Sequence, residues 1–161
     1  MLTLYCLGNP TLKHKNNRHN AGLLLGSFFI EKFDLKLKKF KYYQLSNSFQ
    51  IDGVTCQIAL SENYMNESGQ GVLSLKTTKM SKNDELFVLY DELDLKLGEI
   101  KIKQSGGNAG HNGLRSISSK IGDNYWKLRI GIDHPGDKDK VTSHVLGNFN
   151  EVEKRNLFAL F

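Results

Sequence analysis

The stretch ELFVLYDELDLKLGEIKIKQSGGNAGHNGL, residues 85–114, contains the signals that decide the fold. Its apolar run ELFVLYD, residues 85–91, is typical of a buried strand. GEIKIKQ, residues 98–104, alternates apolar and basic residues, which predicts a strand with one buried face and with Lys101 and Lys103 on the other. A glycine-rich loop then leads into a helix. Strands joined to helices by short loops indicate an α/β domain.

The rest of the chain continues this alternation of strands and helices. The turn Asp52-Gly53 predicts a hairpin, and Glu153, three residues after Asn150, predicts a capping box at the last helix. We predict further strands at 1–7, 45–51, 54–60 and 127–133, and helices at 21–33, 69–79, 113–121, 138–146 and from Asn150 onward. The expected fold is one α/β domain over residues 1–161, with a mixed, mostly parallel central sheet flanked by helices on both faces.

Composition limits the classes of protein to consider. With 39% hydrophobic and 24% charged residues, the chain matches an ordinary globular domain rather than a disordered or membrane protein. No basic leader precedes the first strand, so we expect a cytoplasmic protein. Cys6 and Cys56 lie in apolar strand-like segments, which predicts buried, reduced thiols. The net charge of +5 suits an acidic partner such as nucleic acid, and equally a solvated basic surface.

Polar residues follow two of the predicted strands, at the edge where parallel sheets bind ligands. Asn9 follows the first strand, and Asp91 ends the strand ELFVLYD. His19 lies just before a helix, whose dipole disfavours a charged imidazole and so favours a ring able to accept a proton. We expect Asp91 to fix the tautomer of His19, and the pair to activate a water. Asn20 is expected only to cap the helix.

The loop GGNAGHNG, residues 106–113, has neither the G-x-G-x-x-G spacing of dinucleotide sites nor the lysine of a P-loop. Its glycines allow either positive φ or close approach of another group. Because it opens a helix, its amides can form an anion nest, with His111 and Asn112 in the same crevice. Asn66 also precedes a helix, and such amides can bind a carbonyl or orient a water.

Two further chemistries remain to be weighed. His19, Asp91 and His111 are possible metal ligands, but the chain has no HExxH motif and no cysteine pair, so we expect no metal site. Basic residues that could contact phosphates in a salt-sensitive way cluster around the glycine loop: Lys103, Arg115, Lys120, Arg129, Lys138 and Lys140.

Four ordered motifs closely resemble those of the bacterial peptidyl-tRNA hydrolase family: GNP…RHNAG, YMNESG, LYDELDLKLGEIKIKQSGGNAGHNGLRSI and LRIGIDHPGDKDKV. This family cleaves the ester between a stalled peptide and the 3′ ribose of tRNA. The resemblance implies a monomeric esterase without metal or other cofactor. Its implied partner is peptidyl-tRNA, contacted at the acceptor stem, the 3′ end and the 5′ phosphate, with no membrane involved. The alternative is a non-catalytic RNA-binding module on the same scaffold.

The resemblance also implies roles for single residues. His19 resembles the base that activates water, and Asp91 the residue that orients and polarises it. Asn9 and Asn66 resemble groups that position the 3′ end and steady the oxyanion, and Asn112 an amide that positions water and peptide. The other matching positions are Met65 and His111 as walls of the peptide channel, Lys103 and Arg129 as a clamp on the 5′ phosphate, and His14 at a substrate-gating position.

The chain departs from the family pattern at several positions. Thr11 and Asn17 replace a usual glycine and threonine, and His14 replaces the tyrosine that helps gate the tRNA end. Ser61 stands where the family usually has proline. The chain ends at Phe161 where relatives continue in helix, so we expect a truncated product or a minimal variant.

Overall fold

The computed structural model describes residues 1–160, the side chains at 158 and 160 excepted, and forms one sheet with helices around it. The strands are Leu2–Cys6 (β1), Leu37–Lys39 (β2), Tyr43–Ser46 (β3), Phe49–Ile51 (β4), Val54–Ser61 (β5), Glu85–Glu92 (β6), Ile100–Gln104 (β7) and Trp126–Gly131 (β8). The α-helices are Ala21–Lys32 (α1), Ser68–Lys79 (α2), Asn112–Ile121 (α3), Val141–Val145 (α4) and Glu151–Leu160 (α5). Short 3₁₀ turns cover Leu12–His14, Arg18–Asn20, Met65–Glu67 and Lys138–Lys140.

The sheet is parallel at its centre and antiparallel at both edges. Its strand order is β2-β3-β5-β1-β6-β8-β7, with β4 paired to β5. Strand β1 runs parallel to β5 and β6, and β6 runs parallel to β8. The carboxyl ends of these central strands therefore lie at one edge of the sheet, where Asn9 follows β1 and Asp91 lies in β6. This confirms the predicted mixed sheet.

Helices cover both faces of the sheet, as predicted. Alternate residues of a strand point to opposite faces, so Tyr5 packs with Val72 of α2 and Ile117 of α3 in one core cluster. Cys6 packs with Leu25 of α1 and other apolar residues in the second cluster, on the opposite face. Cys6 and Cys56 are both buried free thiols, which confirms the prediction for them.

The predicted strand at 45–51 is wrong, because the structure divides it into β3 and β4. Asn47 leaves the ladder with β5 and bonds Lys36 instead. Its backbone N–H donates to the Lys36 carbonyl at 3.0 Å, and its side-chain Oδ1 accepts from the Lys36 N–H at 2.8 Å. This turn brings in the short exposed strand β2, which sequence patterning did not indicate.

The prediction of a buried face on the strand before the glycine loop is also wrong. Strand β7 is the outer strand of the sheet, and it pairs only with β8 among the described strands. Ile102, predicted to face the core, is 57% exposed. An alternating strand has a buried face only where another layer of the protein covers that side of the sheet. At this edge the helices do not supply such a layer.

The carboxyl-terminal segment follows the prediction in part. The expected helix at 138–146 is a 3₁₀ turn followed by α4, which ends at Val145. The capping box is confirmed: the Asn150 N–H donates to Glu153 Oε1 at 3.0 Å, and the Glu153 N–H donates to Asn150 Oδ1 at 2.8 Å. The expectation of truncation concerns Phe161, which lies outside the described residues.

The described helices include none with the length and apolarity to cross a bilayer.

Candidate active site

An open crevice of about 980 Å³ lies beyond the carboxyl ends of the central strands. The 3₁₀ turns after β1 and β5, the end of β6, the glycine loop and helix α4 form its walls. The structure brings together in it seven of the ten residues to which the resemblance gave roles: Asn9, His19, Met65, Asn66, Asp91, His111 and Asn112. Their convergence follows from the parallel centre of the sheet, which ends its strands at one edge.

A buried carboxylate joins two imidazoles at the centre of the crevice. His19 Nδ1 lies 2.7 Å from Asp91 Oδ2, and His111 Nε2 lies 2.8 Å from Asp91 Oδ1. An ionised carboxylate only accepts hydrogen bonds, so both ring nitrogens donate to it. The second nitrogen of His19, Nε2, then carries a lone pair whenever the ring is neutral. This is the geometry of a general base with its tautomer fixed by Asp91.

The electrostatics of this pair differ from the prediction. Burial alone would lower the pKa of His19, but the charge and hydrogen bond of Asp91 outweigh it and raise that pKa above its ordinary 6.5. Burial would likewise raise the pKa of Asp91, yet the charges and hydrogen bonds of His111 and His19 hold it below its ordinary 3.8. The expectation that the helix keeps His19 neutral is therefore wrong in direction. A carboxylate in direct contact outweighs a helix terminus.

Asn20 does more than cap a helix, which corrects the prediction for it. Its side chain makes no capping bond. Instead its Oδ1 accepts from the Asn9 backbone N–H at 2.8 Å, and its Nδ2 donates to the Asn9 carbonyl at 3.0 Å. The Asn9 side chain in turn accepts at Oδ1 from the Met65 N–H at 2.8 Å. Asn9 is thereby held at three points, and its side-chain Nδ2 remains to donate into the crevice.

The glycine loop uses both properties that its glycines offer. Gly106 and Gly110 adopt positive φ, 92° and 80°. Gly113 serves close approach, since a Cβ there would lie 2.6 Å from the Met65 sulfur. His111 ends the loop as the cap of α3, where its Nδ1 accepts from the N–H groups of Gly113 and Leu114 at 3.1 and 3.3 Å. Because Nδ1 accepts, Nε2 must carry the proton that is donated to Asp91.

The same three groups are the candidate metal ligands. The potential ligand atoms of His19, Asp91 and His111 all lie within 4.8 Å of one another. However, the nitrogens that face Asp91 are hydrogen-bond donors and have no lone pair for a cation, and Nδ1 of His111 caps α3. A metal at the centre of this cluster would have to displace both protons and break both bonds. The donor set therefore suits proton transfer better than coordination.

Three of the predicted binding residues lie outside the crevice lining. The half-buried His14 faces Asn17, its Nδ1 lying 2.7 Å from Asn17 Oδ1. Lys103 is exposed on β7, and Arg129 on β8 lies 3.8 Å from Glu92. The roles implied for them stay predictions. Of the wider basic group, the following side chains are exposed: Arg115, Lys120, Lys138 and Lys140.

Two basic residues that the sequence analysis passed over are tied to the site. Arg18 donates through Nη1 to the His144 carbonyl at 3.1 Å and through Nη2 to Glu153 at 3.0 Å, which fastens the turn before His19 to the carboxyl-terminal segment. Lys127 on β8 is buried beneath the glycine loop. The position of Arg18 next to His19 was a sequence signal that could have identified it. No sequence pattern distinguishes Lys127 from an exposed lysine.

Comparison with known proteins decides the family. A family model described as "Peptidyl-tRNA hydrolase" matches residues 3–161. The chain belongs to the peptidyl-tRNA hydrolase family. It is 40% identical over 148 residues to the peptidyl-tRNA hydrolase of Azorhizobium caulinodans, covering 92% of this chain and 72% of the relative. The relative from Acinetobacter baylyi is 39% identical over 149 residues, covering 92% of this chain and 77% of the relative.

Solved structures agree with this family assignment. The crystal structure of peptidyl-tRNA hydrolase from Acinetobacter baumannii matches with a TM-score of 0.89 and 35% sequence identity, covering 99% of this chain and 82% of that one. The resemblance stated from the four motifs is confirmed, as is the predicted fold class.

Proposed function

We propose that this chain hydrolyses the ester between peptide and tRNA in peptidyl-tRNA and releases tRNA for further use in translation. The observation that carries the proposal is the hydrogen bond between His19 Nδ1 and Asp91 Oδ2, which equips a member of this family with a base facing the crevice. Peptidyl-tRNA is the proposed partner. We further propose that the chain acts as a single cytoplasmic domain and as a monomer.

His19 and Asp91 carry the proton in the proposed reaction. Neutral His19 accepts a proton at Nε2 from a water, whose oxygen attacks the carbonyl carbon of the ester. The imidazolium that forms is stabilised by Asp91, which lies 2.7 Å away. The tetrahedral intermediate then collapses as the 3′ oxygen of the ribose leaves and takes the proton from His19. General-base assistance of this kind supplies about 10²- to 10⁴-fold in rate.

Three asparagines are proposed to hold the substrate around this base. Asn9 is fixed by Asn20 and Met65 and can donate from Nδ2, which suits a group that develops negative charge. Asn66 and Asn112 are exposed in the lining of the crevice and can bind the 3′ end and the peptide. Oxyanion donors typically contribute about 10²- to 10³-fold in rate.

Recognition of tRNA is assigned to the basic residues beyond the crevice. Lys103 and Arg129 lie on the neighbouring strands β7 and β8, where they can contact the 5′ phosphate while the 3′ end enters the crevice. Such phosphate contacts give affinity without reading sequence. His14 and the channel residues Met65 and His111 complete the proposed contacts.

The proposal is tested by release of free tRNA from an N-blocked aminoacyl-tRNA, with and without a chelator. The unsubstituted protein should cleave equally in both, and His19→Ala should lose cleavage while its affinity for tRNA changes little. His144→Gln, which keeps a donor for the Ile132 carbonyl that His144 bonds at 2.9 Å, is the matched histidine control and should cleave normally.

Each alternative gives a different result in this assay. Binding of tRNA without cleavage by the unsubstituted protein would favour the RNA-binding module. Loss of cleavage in chelator would favour a metal at His19, Asp91 and His111. Retained cleavage by His19→Ala would refute the assigned base.

A further inference from the structure

Lys127 is a buried lysine whose ammonium bonds the backbone of the glycine loop. The residue is 1% exposed, and its Nζ donates to the carbonyls of Ser105, Gly106 and Gly107 at 3.1, 2.6 and 3.0 Å. None of the ion pairs formed by the described residues includes it. A buried ammonium is costly unless it is hydrogen-bonded. Its position beneath the loop is therefore stable only while the three carbonyls face it.

The same bonds determine which way the loop's amides point. In a trans peptide the C=O and the following N–H point in opposite directions, and the described chain contains no cis peptide. Three carbonyls turned inward to Lys127 therefore turn the N–H groups of Gly106, Gly107 and Asn108 outward. No hydrogen bond of the described residues is donated by these amides. The side chain of the exposed Lys103, on β7, lies against the loop, since a Cβ on Gly106 would be 3.0 Å from its Nζ.

The loop is anchored differently at its two ends. Its later part lines the crevice and is held locally, by the Gly110 N–H on Asn108 Oδ1 at 3.0 Å and by the His111 N–H on the Asn108 carbonyl at 2.9 Å. Its beginning has one backbone bond, from the Ser105 N–H to the Tyr125 carbonyl at 3.0 Å. Beyond this bond, Lys127 supplies the described contacts that hold the first glycines in place.

We propose that Lys127 is a positioning residue for substrate binding: it fixes residues 105–107 so that the outward amides of the loop face an anionic part of the substrate. The proposal rests on the proposed function for the identity of that substrate. His19, Asp91 and His111 have hydrogen bonds of their own, so the chemical step depends little on Lys127. Loss of the ammonium should therefore weaken substrate binding more than turnover.

Lys127→Met tests the proposal because it keeps the length of the side chain and removes the donors. We expect KM for N-blocked aminoacyl-tRNA to rise about tenfold, and kcat to stay within about threefold, since hydrogen bonds to charged groups are worth more than neutral ones. Lys127→Arg, which keeps several N–H donors, should restore most of the affinity. Lys39→Met, an exposed lysine on the opposite edge strand β2, is the matched control.

A purely structural role for Lys127 gives the opposite split. Global destabilisation reduces the number of active molecules, so the apparent kcat falls while KM is unchanged. That result, or a KM within twofold of the unsubstituted protein, would overturn the proposal. If methionine prevents folding, Lys127→Leu, which also lacks hydrogen-bond donors, replaces it and is judged by the same two outcomes.

Hydrogen exchange measured without substrate tests the loop independently of activity. In Lys127→Met, the hydrogen-bonded amides of Ser105, Gly110 and His111 should exchange about tenfold faster while strands β1 and β6 keep their protection. Equal acceleration throughout the chain, or none in the loop, would refute the positioning role. If the unsubstituted protein did not cleave the ester, the proposed function would fail, and this exchange measurement would still decide whether Lys127 orders the loop.

Discussion

The floor of the crevice and the basic surface beside it are built in opposite ways. On the floor, Asn9, His19 and Asp91 are buried, and a hydrogen bond within the protein fixes the orientation of each side chain. On the surface, Lys120 and Lys140 are exposed, and neither forms an ion pair with the described residues. The chemistry is thus assigned to side chains fixed before substrate arrives, and the attraction of tRNA to side chains free to adapt.

This difference matches what each task requires. A general base and oxyanion donors act only when they are correctly oriented, because small displacements cost large factors in rate. Attraction of a phosphate backbone depends mainly on charge, so long mobile lysines suffice for it. Substitutions in the two regions should therefore differ in the quantity they change as well as in the size of the change. Those on the crevice floor should lower kcat, and those on the basic surface should lower the affinity for tRNA.

The largest effect is expected from Asp91→Asn. His19 and His111 bond different oxygens of Asp91, and asparagine replaces one of these oxygens with a donating NH₂ group, so one of the two hydrogen bonds is lost. We expect kcat to fall by about 10²- to 10⁴-fold, with tRNA affinity nearly unchanged. Single-turnover cleavage and filter binding measure the two quantities. Asp34→Asn, at an exposed position with φ of 48° that asparagine tolerates, is the control. Parallel losses of kcat and of tRNA affinity would contradict the division between the two regions.

The dependence on pH should show the coupling of His19 to Asp91. Catalysis needs neutral His19, so kcat/KM should rise with pH, with a midpoint above 6.5 because the pKa of His19 is raised. The same raised pKa has the opposite effect on stability. The contact stabilises the fold fully below the pKa of His19 in the unfolded chain, and this contribution is lost as pH rises through its folded pKa.

A pH–rate profile and urea unfolding across the same pH range measure both trends. In Asp91→Asn, the midpoint of the residual activity should move downward, because the charge that raised the pKa is gone. A midpoint below 6.5 in the unsubstituted protein would contradict the assigned electrostatics.

The smallest effect is expected from the basic surface. Lys103→Met should weaken tRNA binding several-fold, and should reduce the dependence of log affinity on log salt by about 0.7 to 0.9 if one phosphate contact is lost. The kcat at saturation should be unchanged, because Lys103 lies outside the crevice. Lys39→Met serves again as the control at the opposite edge of the sheet. An unchanged salt dependence would remove Lys103 from the tRNA-binding surface.

Sequence reasoning succeeded where a local signal coincided with a rule of topology. Asn9 and Asp91 each mark the carboxyl end of a central strand, and parallel strands end at one edge, so their meeting was predictable. The roles of Asn20 and Lys127 were not predictable, because the partners of each are backbone atoms brought close only by folding. The direction of the His19 pKa was missed for the same reason. It depends on the distance to Asp91, 72 residues away in sequence.

Arg18 has a consequence for the timing of biosynthesis. Its side chain bonds the His144 carbonyl and Glu153, which the ribosome adds 126 and 135 residues later. The turn that carries His19 therefore lacks these supports in an unfinished chain, because the segment that supplies them has not been made. An unfinished copy is itself a peptidyl-tRNA and needs its own ester intact. The order of synthesis thus leaves the proposed base without these supports while that ester is in use.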